Sequence, residues 1–158
     1  MEHGTAHPGQ RSALNRLAIS ATNHCLTGCV IGEVAGMFIA TAAGWGNVSS
    51  IALAVGLAYI FGFSLTARPL VRAGLAAGTV ISTALAVDTL SITIMEVIDN
   101  LVVVLVPGAM EAGVDEPLIY ASIAAGFAVA YPFAFLANRY LIARGKGHAL
   151  VHEYHHPH

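Results

Sequence analysis

Two cysteines and a glutamate lie in a segment that is otherwise apolar enough to cross a membrane. Cys25, Cys29 and Glu33 follow one another at intervals of four residues. At about 100° per residue, each step moves a side chain only about 40° around a helix, so Met37 continues the same stripe. Thiolate, thioether and carboxylate groups are metal ligands, and His24 adds an imidazole beside them. The segment therefore predicts a metal site, with Cu(I) favoured over zinc.

A second stripe, made of glycines, lies beside the first. Gly28, Gly32 and Gly36 also recur at intervals of four residues. Small residues at this spacing let another helix backbone approach closely within a bilayer. We therefore expect the thiol and acid side chains to face protein rather than lipid. The alternative is that the cysteines are simply small residues of a membrane helix and bind nothing.

More acids occur within the third apolar segment. Asp88, Met95 and Asp99 fall within about 40° of one another on a helix, and Glu96 lies at the edge of that face. A charged group within a bilayer costs at least about 2.5–3.5 kcal/mol, so we expect a polar interior, protonation or bound cations. The alternative places Glu96 and Asp99 in solvent at the headgroup level.

Together the two segments predict a ladder of metal ligands across the bilayer, as a transported cation requires. The predicted ligands are His24, Cys25, Cys29, Glu33, Met37, Asp88, Met95, Glu96 and Asp99.

The composition indicates an integral membrane protein. Of 158 residues, 56% are hydrophobic and only 10% are charged, which is too apolar for an ordinary soluble domain. Segments long enough to span a bilayer lie at 24–44, 48–67, 72–106 and 117–142. We therefore expect an all-α polytopic membrane protein with four transmembrane helices.

The third segment is longer than a single span needs. Residues 72–106 would make about 52 Å of helix, against a hydrocarbon core of about 30 Å. It is either one long or bent helix, or a span followed by a re-entrant half-helix. The domain boundaries that we expect are a mobile arm at 1–20, a transmembrane domain at 21–143 and a histidine-rich tail at 144–158.

The basic residues predict the orientation. All seven lie before the first span, between the second and third spans, or at the end of the fourth span, and these places share one side of the membrane. They are Arg11, Arg16, Arg68, Arg72, Arg139, Arg144 and Lys146. The positive-inside rule then places both termini in the cytoplasm. We expect a multi-pass protein of the inner (plasma) membrane. No apolar leader before a cleavage site is visible. Nothing in the charge pattern indicates nucleic-acid binding.

Histidines are concentrated at the two ends of the chain. Of the eight histidines, all but His24 lie there, at His3, His7, His148, His152, His155, His156 and His158. Histidine-rich segments bind metals, so both ends are candidates for collecting ions at the cytoplasmic face.

Three motifs resemble a family of small bacterial membrane proteins that is described only as a domain of unknown function. They are His24-Cys25-x3-Cys29-x3-Glu33, Asp88-Thr89-Leu90-Ser91, and the stretch from Met95-Glu96 to Asp99-Asn100. The resemblance covers about residues 20–143. It implies that the two polar segments form one paired site, and it implies no particular activity.

The sequence thus favours a non-enzymatic membrane protein that binds or transports a soft transition metal. Because four helices enclose little volume, we expect a homo-oligomer or a larger membrane complex. The main alternative is a non-catalytic accessory subunit of a larger membrane enzyme. A redox carrier that uses the cysteine pair is a third possibility, which no nucleotide, flavin or haem motif supports.

Overall fold

The computed structural model describes residues 8–72 and 74–144. The elements in this part of the chain are four helices, α1 (Pro8–Ala42), α2 (Asn47–Arg72), α3 (Ala77–Leu105) and α4 (Pro117–Ala143). Each is long and apolar enough to cross a membrane. The prediction of an all-α protein with four such helices is confirmed for the described residues.

Helix α1 begins earlier than the apolar pattern indicates. It starts at Pro8 and has 35 residues, so positions 8–20 of the expected N-terminal arm are helical. Proline suits the first position of a helix, because its missing N–H would have no partner there. Ala18 in these first turns packs against Val87 of α3 and Ile142 of α4. Residues 1–7 and 145–158, with all seven end-lying histidines, are outside the described part.

Glycines end the first two helices in the same way. After α1, Gly44 has a φ of +68° and Trp45 donates a backbone hydrogen bond to the carbonyl of Ala40 at 2.9 Å. After α2, Gly74 has a φ of +76° and Leu75 donates to the carbonyl of Leu70 at 3.3 Å. These are Schellman motifs, in which a left-handed residue lets the chain reverse.

The third segment contains one continuous helix. Helix α3 has 29 residues, or about 44 Å at 1.5 Å per residue. It ends before Pro107, because proline disfavours helical geometry in the preceding residue. The re-entrant half-helix is wrong, since α3 continues without a break to Leu105 and residues 107–111 form turns. The expected start at 72 is also wrong, because α2 continues to Arg72 and α3 begins only at Ala77.

The helices form a bundle in which each packs beside its neighbours in sequence and α4 closes against α1. Helices α1 and α3 run parallel and face each other across the bundle centre. Connections 43–46 and 106–116 lie together at one end, which we call the loop end.

Helices α1 and α2 touch backbone to backbone. Three glycines of α1 stack on small residues of α2, in the pairs Gly28–Gly62, Gly32–Ala58 and Gly36–Ala54. A Cβ added at Gly28 would lie 2.5 Å from the Cα of Gly62, so no side chain fits there. The expectation that the glycine stripe faces protein is confirmed. This contact fixes the rotation of α1 and turns its thiol stripe toward the bundle centre.

We predict that Gly32→Ala destabilises the protein by about 1–3 kcal/mol, the usual cost of overpacking a tight contact. The new Cβ would meet the backbone of Ala58 and lie 2.6 Å from the carbonyl carbon of Leu57. The matched control is Gly56→Ala, because a Cβ added there would meet no other helix of the described residues within 4 Å. Thermal unfolding in detergent should show a lower midpoint for the first variant only. Equal midpoints would mean that the two helices are not in contact as described.

Candidate functional site

Six side chains from α1 and α3 meet at the bundle centre. We call them the thiol–acid cluster: Cys25, Cys29, Glu33, Met95, Glu96 and Asp99. Each is less than a tenth exposed. Because α1 and α3 are parallel, successive turns of one helix meet successive turns of the other. The structure therefore brings together the two polar segments that the sequence analysis expected to be paired.

Three sulfur atoms occupy one side of the cluster. The thiol of Cys25 donates to the thioether of Met95, with 3.6 Å between Sγ and Sδ. Cys29, one turn further along α1, lies in side-chain contact with Cys25 and with Glu96. Both cysteines are free thiols and are fully buried. Two sulfur ligands that are each about 2.3 Å from a tetrahedral ion lie about 3.8 Å apart. The distance of 3.6 Å between Cys25 Sγ and Met95 Sδ is close to this value.

Three carboxyl groups occupy the other side, toward the loop end. Glu33 lies beside Asp99, and Glu96 lies near Glu33. Within the described residues, no hydrogen-bond partner is found for either oxygen of Glu96 or Asp99, or for Oε2 of Glu33. Unpaired buried carboxylates are strongly disfavoured, so these groups require protons or a cation. The alternative that Glu96 and Asp99 are solvated at headgroup level is wrong, since both are buried.

Helix α4 contributes a glycine to this side of the cluster. A Cβ added at Gly126 would meet Oδ1 of Asp99 and would lie 2.8 Å from its Cα. Only glycine therefore allows α4 to pack this closely over Asp99.

Asp88 is buried but lies apart from the cluster. It precedes Glu96 by eight residues, which is about 12 Å along α3. Thr66 of α2 donates its hydroxyl to Oδ1 of Asp88 at 3.0 Å. Oδ2 of Asp88 and the hydroxyl of Ser91, one turn on, have no partner in the described part of the chain. The predicted ladder is thus divided into two polar groups at different depths.

Two other predicted ligands lie outside the cluster. His24 is exposed, because one residue along a helix is a rotation of about 100° away from Cys25. Met37 is partly buried and packs against the core one turn beyond Glu33, toward the loop end. In residues 8–72 and 74–144, no three or more His, Cys, Asp or Glu side chains are grouped so as to hold one metal ion. Cys25, Cys29 and Met95, which we call the sulfur group, are not covered by that statement, because methionine is not one of the four residue types that it considers.

A cavity of about 160 Å³ opens at the loop end and reaches Glu33. We call it the loop-end cavity. Its walls include Met37, Trp45, Asn100 and Met110. Glu33 belongs both to this wall and to the thiol–acid cluster, so the cavity leads to the cluster from the loop end.

Sequence reasoning missed several polar side chains that the bundle interior holds. Thr66 is the partner of Asp88, and Asn100, which was named in a motif but not among the predicted ligands, lines the cavity. Asn138 of α4 donates to the hydroxyl of Thr22 at 3.0 Å. Each is a hydrogen-bonding residue within an apolar helix, and that was the available signal. Met110 gave no signal, because only the fold of the 106–116 connection brings it to the cavity.

We predict that Thr66→Val lowers stability by about 1–3 kcal/mol, because it leaves Oδ1 of buried Asp88 without its donor. Valine keeps the size of threonine, so packing changes little. The control is Ser64→Ala on the same helix, whose exposed hydroxyl donates to the carbonyl of Ile60. Denaturation in detergent should separate the two variants. If they are equally stable, the Thr66–Asp88 bond does not contribute as described.

Comparison with known proteins identifies a family. No curated protein and no solved structure gives a significant match to the chain. One family profile, a domain of unknown function designated DUF4396, matches residues 14–147. The match spans most of the chain, and it includes the whole thiol–acid cluster together with Asp88 and Thr66. The protein accordingly belongs to the DUF4396 family.

Proposed function

We propose that the protein binds a soft transition metal, Cu(I) ahead of zinc, and moves it through the membrane as a small transporter. The observation that carries this proposal is the buried sulfur group of Cys25, Cys29 and Met95, with 3.6 Å between Cys25 Sγ and Met95 Sδ. Cysteine and methionine also fill apolar cores, and all three residues belong to the core of this bundle. What favours a metal site is that two thiols and a thioether meet beside three buried carboxyl groups.

The types of donor favour Cu(I). Thiolate and thioether ligands suit soft ions, and thioethers in particular are poor ligands for hard cations. A third oxygen or nitrogen donor would favour zinc instead. Met95 rather than the exposed His24 lies against Cys25, so the three ligands that we propose are all sulfur atoms. Glu96, which contacts Cys29, is the oxygen donor that would join them if zinc were bound.

The carboxyl groups fit a pathway on either side of the sulfur atoms. Glu33, Glu96 and Asp99 lie between the loop-end cavity and the thiols. Asp88 lies on the opposite side, toward the chain ends. Fixed negative charges lower the free energy of a cation within a bilayer, so two such groups support movement along the bundle axis.

The proposed setting is a bacterial inner membrane with both termini in the cytoplasm. Every arginine of the described residues lies at the end of the bundle opposite the loop end. The loop-end cavity would then face the exterior. A homo-oligomer or a larger membrane complex remains part of the proposal, with the lipid bilayer as the partner of the exposed apolar side chains.

The rival proposal is a non-catalytic accessory subunit of a larger membrane enzyme. Such a subunit needs docking faces of small residues on its outer surface. The glycine stripe of α1, which seemed suited to that use, is instead occupied by α2 of the same chain. Metal content separates the proposals, because an accessory subunit would hold no metal by itself.

We predict that the purified full-length protein, with its end-lying histidines replaced by alanine, retains one Cu(I) against a competing chelator. Cys25→Ser, Cys29→Ser and Met95→Leu should each weaken retention at least tenfold, because each removes one of the sulfur donors. The control is Thr27→Ala, an exposed position between the two cysteines. Equal retention by all variants, or none by the parent protein, would contradict the proposal.

We also predict the orientation. A reporter that is active only outside the cytoplasm should be active when fused after Gly113 in the loop-end connection, and inactive after His158. A fluorescent protein that folds only in the cytoplasm should give the reverse pattern. The opposite result for either position would overturn the proposed topology and the outward direction of the cavity.

A further inference from the structure

The loop-end cavity is a formed structure and not a gap beneath a loose loop. Asn47 at the start of α2 donates its side-chain amide to the carbonyl of Met110 at 3.2 Å. Tyr120 of α4 donates its hydroxyl to the carbonyl of Val114 at 2.6 Å, and Ala109 is fully buried. These contacts fasten the 106–116 connection to the bundle and hold Met110 over the cavity.

The cavity has room for an ion with part of its hydration shell. Its volume is about 160 Å³, while one water molecule takes about 30 Å³ in the liquid, which corresponds to about five waters. A partly hydrated ion can therefore occupy the space, which is smaller than the volume of about 300 Å³ or more that is typical of metabolite pockets.

The cavity wall combines soft and charged donors. Two of the four methionines of the chain, Met37 from α1 and Met110 from the connection, line it. Glu33 lies at its inner end, is only 8% exposed, and has a buried oxygen, Oε2, with no partner among the described residues. Thioethers bind soft ions without charge, and the carboxylate supplies the charge that neutralises a monovalent cation.

We propose that the loop-end cavity is a second, weaker site for a soft monovalent cation, held by Met37, Met110 and Glu33, from which the ion passes to the buried thiols. The inference deepens the proposed function and rests on it. It assigns Met110 as a ligand, and it places access to the thiols at the loop end rather than at the histidine-bearing end.

The spacing along α1 supports transfer between the two sites. Glu33 is one turn from Cys29, which is about 6 Å along the helix axis. Asp99 and Glu96 lie beside this step. An ion leaving the cavity therefore meets a carboxylate before it meets the first thiol. Thioethers bind more weakly than thiolates, so the gradient of affinity directs the ion inward.

Packing alone is the competing explanation for the two methionines, since both also touch the apolar core. If the methionines serve packing alone, replacing them with leucine should change little, because leucine replaces methionine in a core with little loss of stability. Met37→Leu and Met110→Leu are therefore suitable tests, as they remove the thioether and preserve the volume.

Trp45 provides a direct signal for the cavity, because it lines the wall and is the only tryptophan in the chain. We would titrate the full-length protein in detergent with Ag(I), an air-stable probe for soft monovalent ions, in the background that lacks the end-lying histidines. We expect Ag(I) to quench Trp45 emission. Met37→Leu and Met110→Leu should each raise the concentration for half-quenching about tenfold, because each removes one of two thioethers.

Met95→Leu is the matched control, because it removes a thioether that lies outside the cavity. It should leave the quenching of Trp45 in place while lowering Cu(I) retention. Met37→Leu and Met110→Leu should weaken the quenching of Trp45 and leave Cu(I) retention at the thiols in place. Quenching that is absent in the parent protein, or is unchanged in both cavity variants, overturns the inference and leaves the sulfur site intact. If quenching responds to the cavity variants as expected but the parent protein retains no Cu(I), the cavity site is supported and the thiol site is contradicted.

A second measurement needs no variant. Hydrogen peroxide oxidises accessible methionine thioethers, and a bound soft ion protects them. With Ag(I) present, mass spectrometry of the parent protein should show slower oxidation of Met37 and Met110. Equal oxidation of both residues with and without Ag(I) overturns the inference even if a variant fails to fold.

Discussion

The direct backbone contact between α1 and α2 is the constraint on which the rest of the bundle depends. Because Gly32 lies against Ala58 without an intervening side chain, α1 can adopt only one rotation. That rotation directs the neighbouring stripe, with Cys25 and Glu33, toward α3. A larger residue in the glycine stripe would separate the helices and expose thiols and acids to lipid.

Burial of three carboxyl groups gives the structure its functional character. On insertion scales each charge costs about 2.5–3.5 kcal/mol, or roughly 8–10 kcal/mol for Glu33, Glu96 and Asp99 together. This is comparable with the whole net stability of a typical protein, about 5–15 kcal/mol. The folded bundle therefore cannot hold all three charged and unpaired. A bound cation or protons must accompany them, and the loop-end cavity supplies a route for either.

The sequence was sufficient for the parts that depend on local periodicity. Intervals of four residues predicted both the glycine contact and the thiol–acid stripe, and the lengths of the apolar segments predicted four helices. It was insufficient where distant segments meet. The register that places Met95 against Cys25, and the pairing of Thr66 with Asp88, depend on packing between helices. His24 was assigned to the site by adjacency in sequence, although the helix turns it outward.

X-ray absorption spectroscopy of the copper-loaded, full-length protein tests the central claim most directly, because it counts the atoms bound to the metal. The account predicts three sulfur neighbours at about 2.3 Å and no nitrogen neighbours when the end-lying histidines are replaced. A shell of nitrogen or oxygen atoms without sulfur would contradict it. Such a result would mean that Cys25, Cys29 and Met95 are packed together for structure and do not hold an ion.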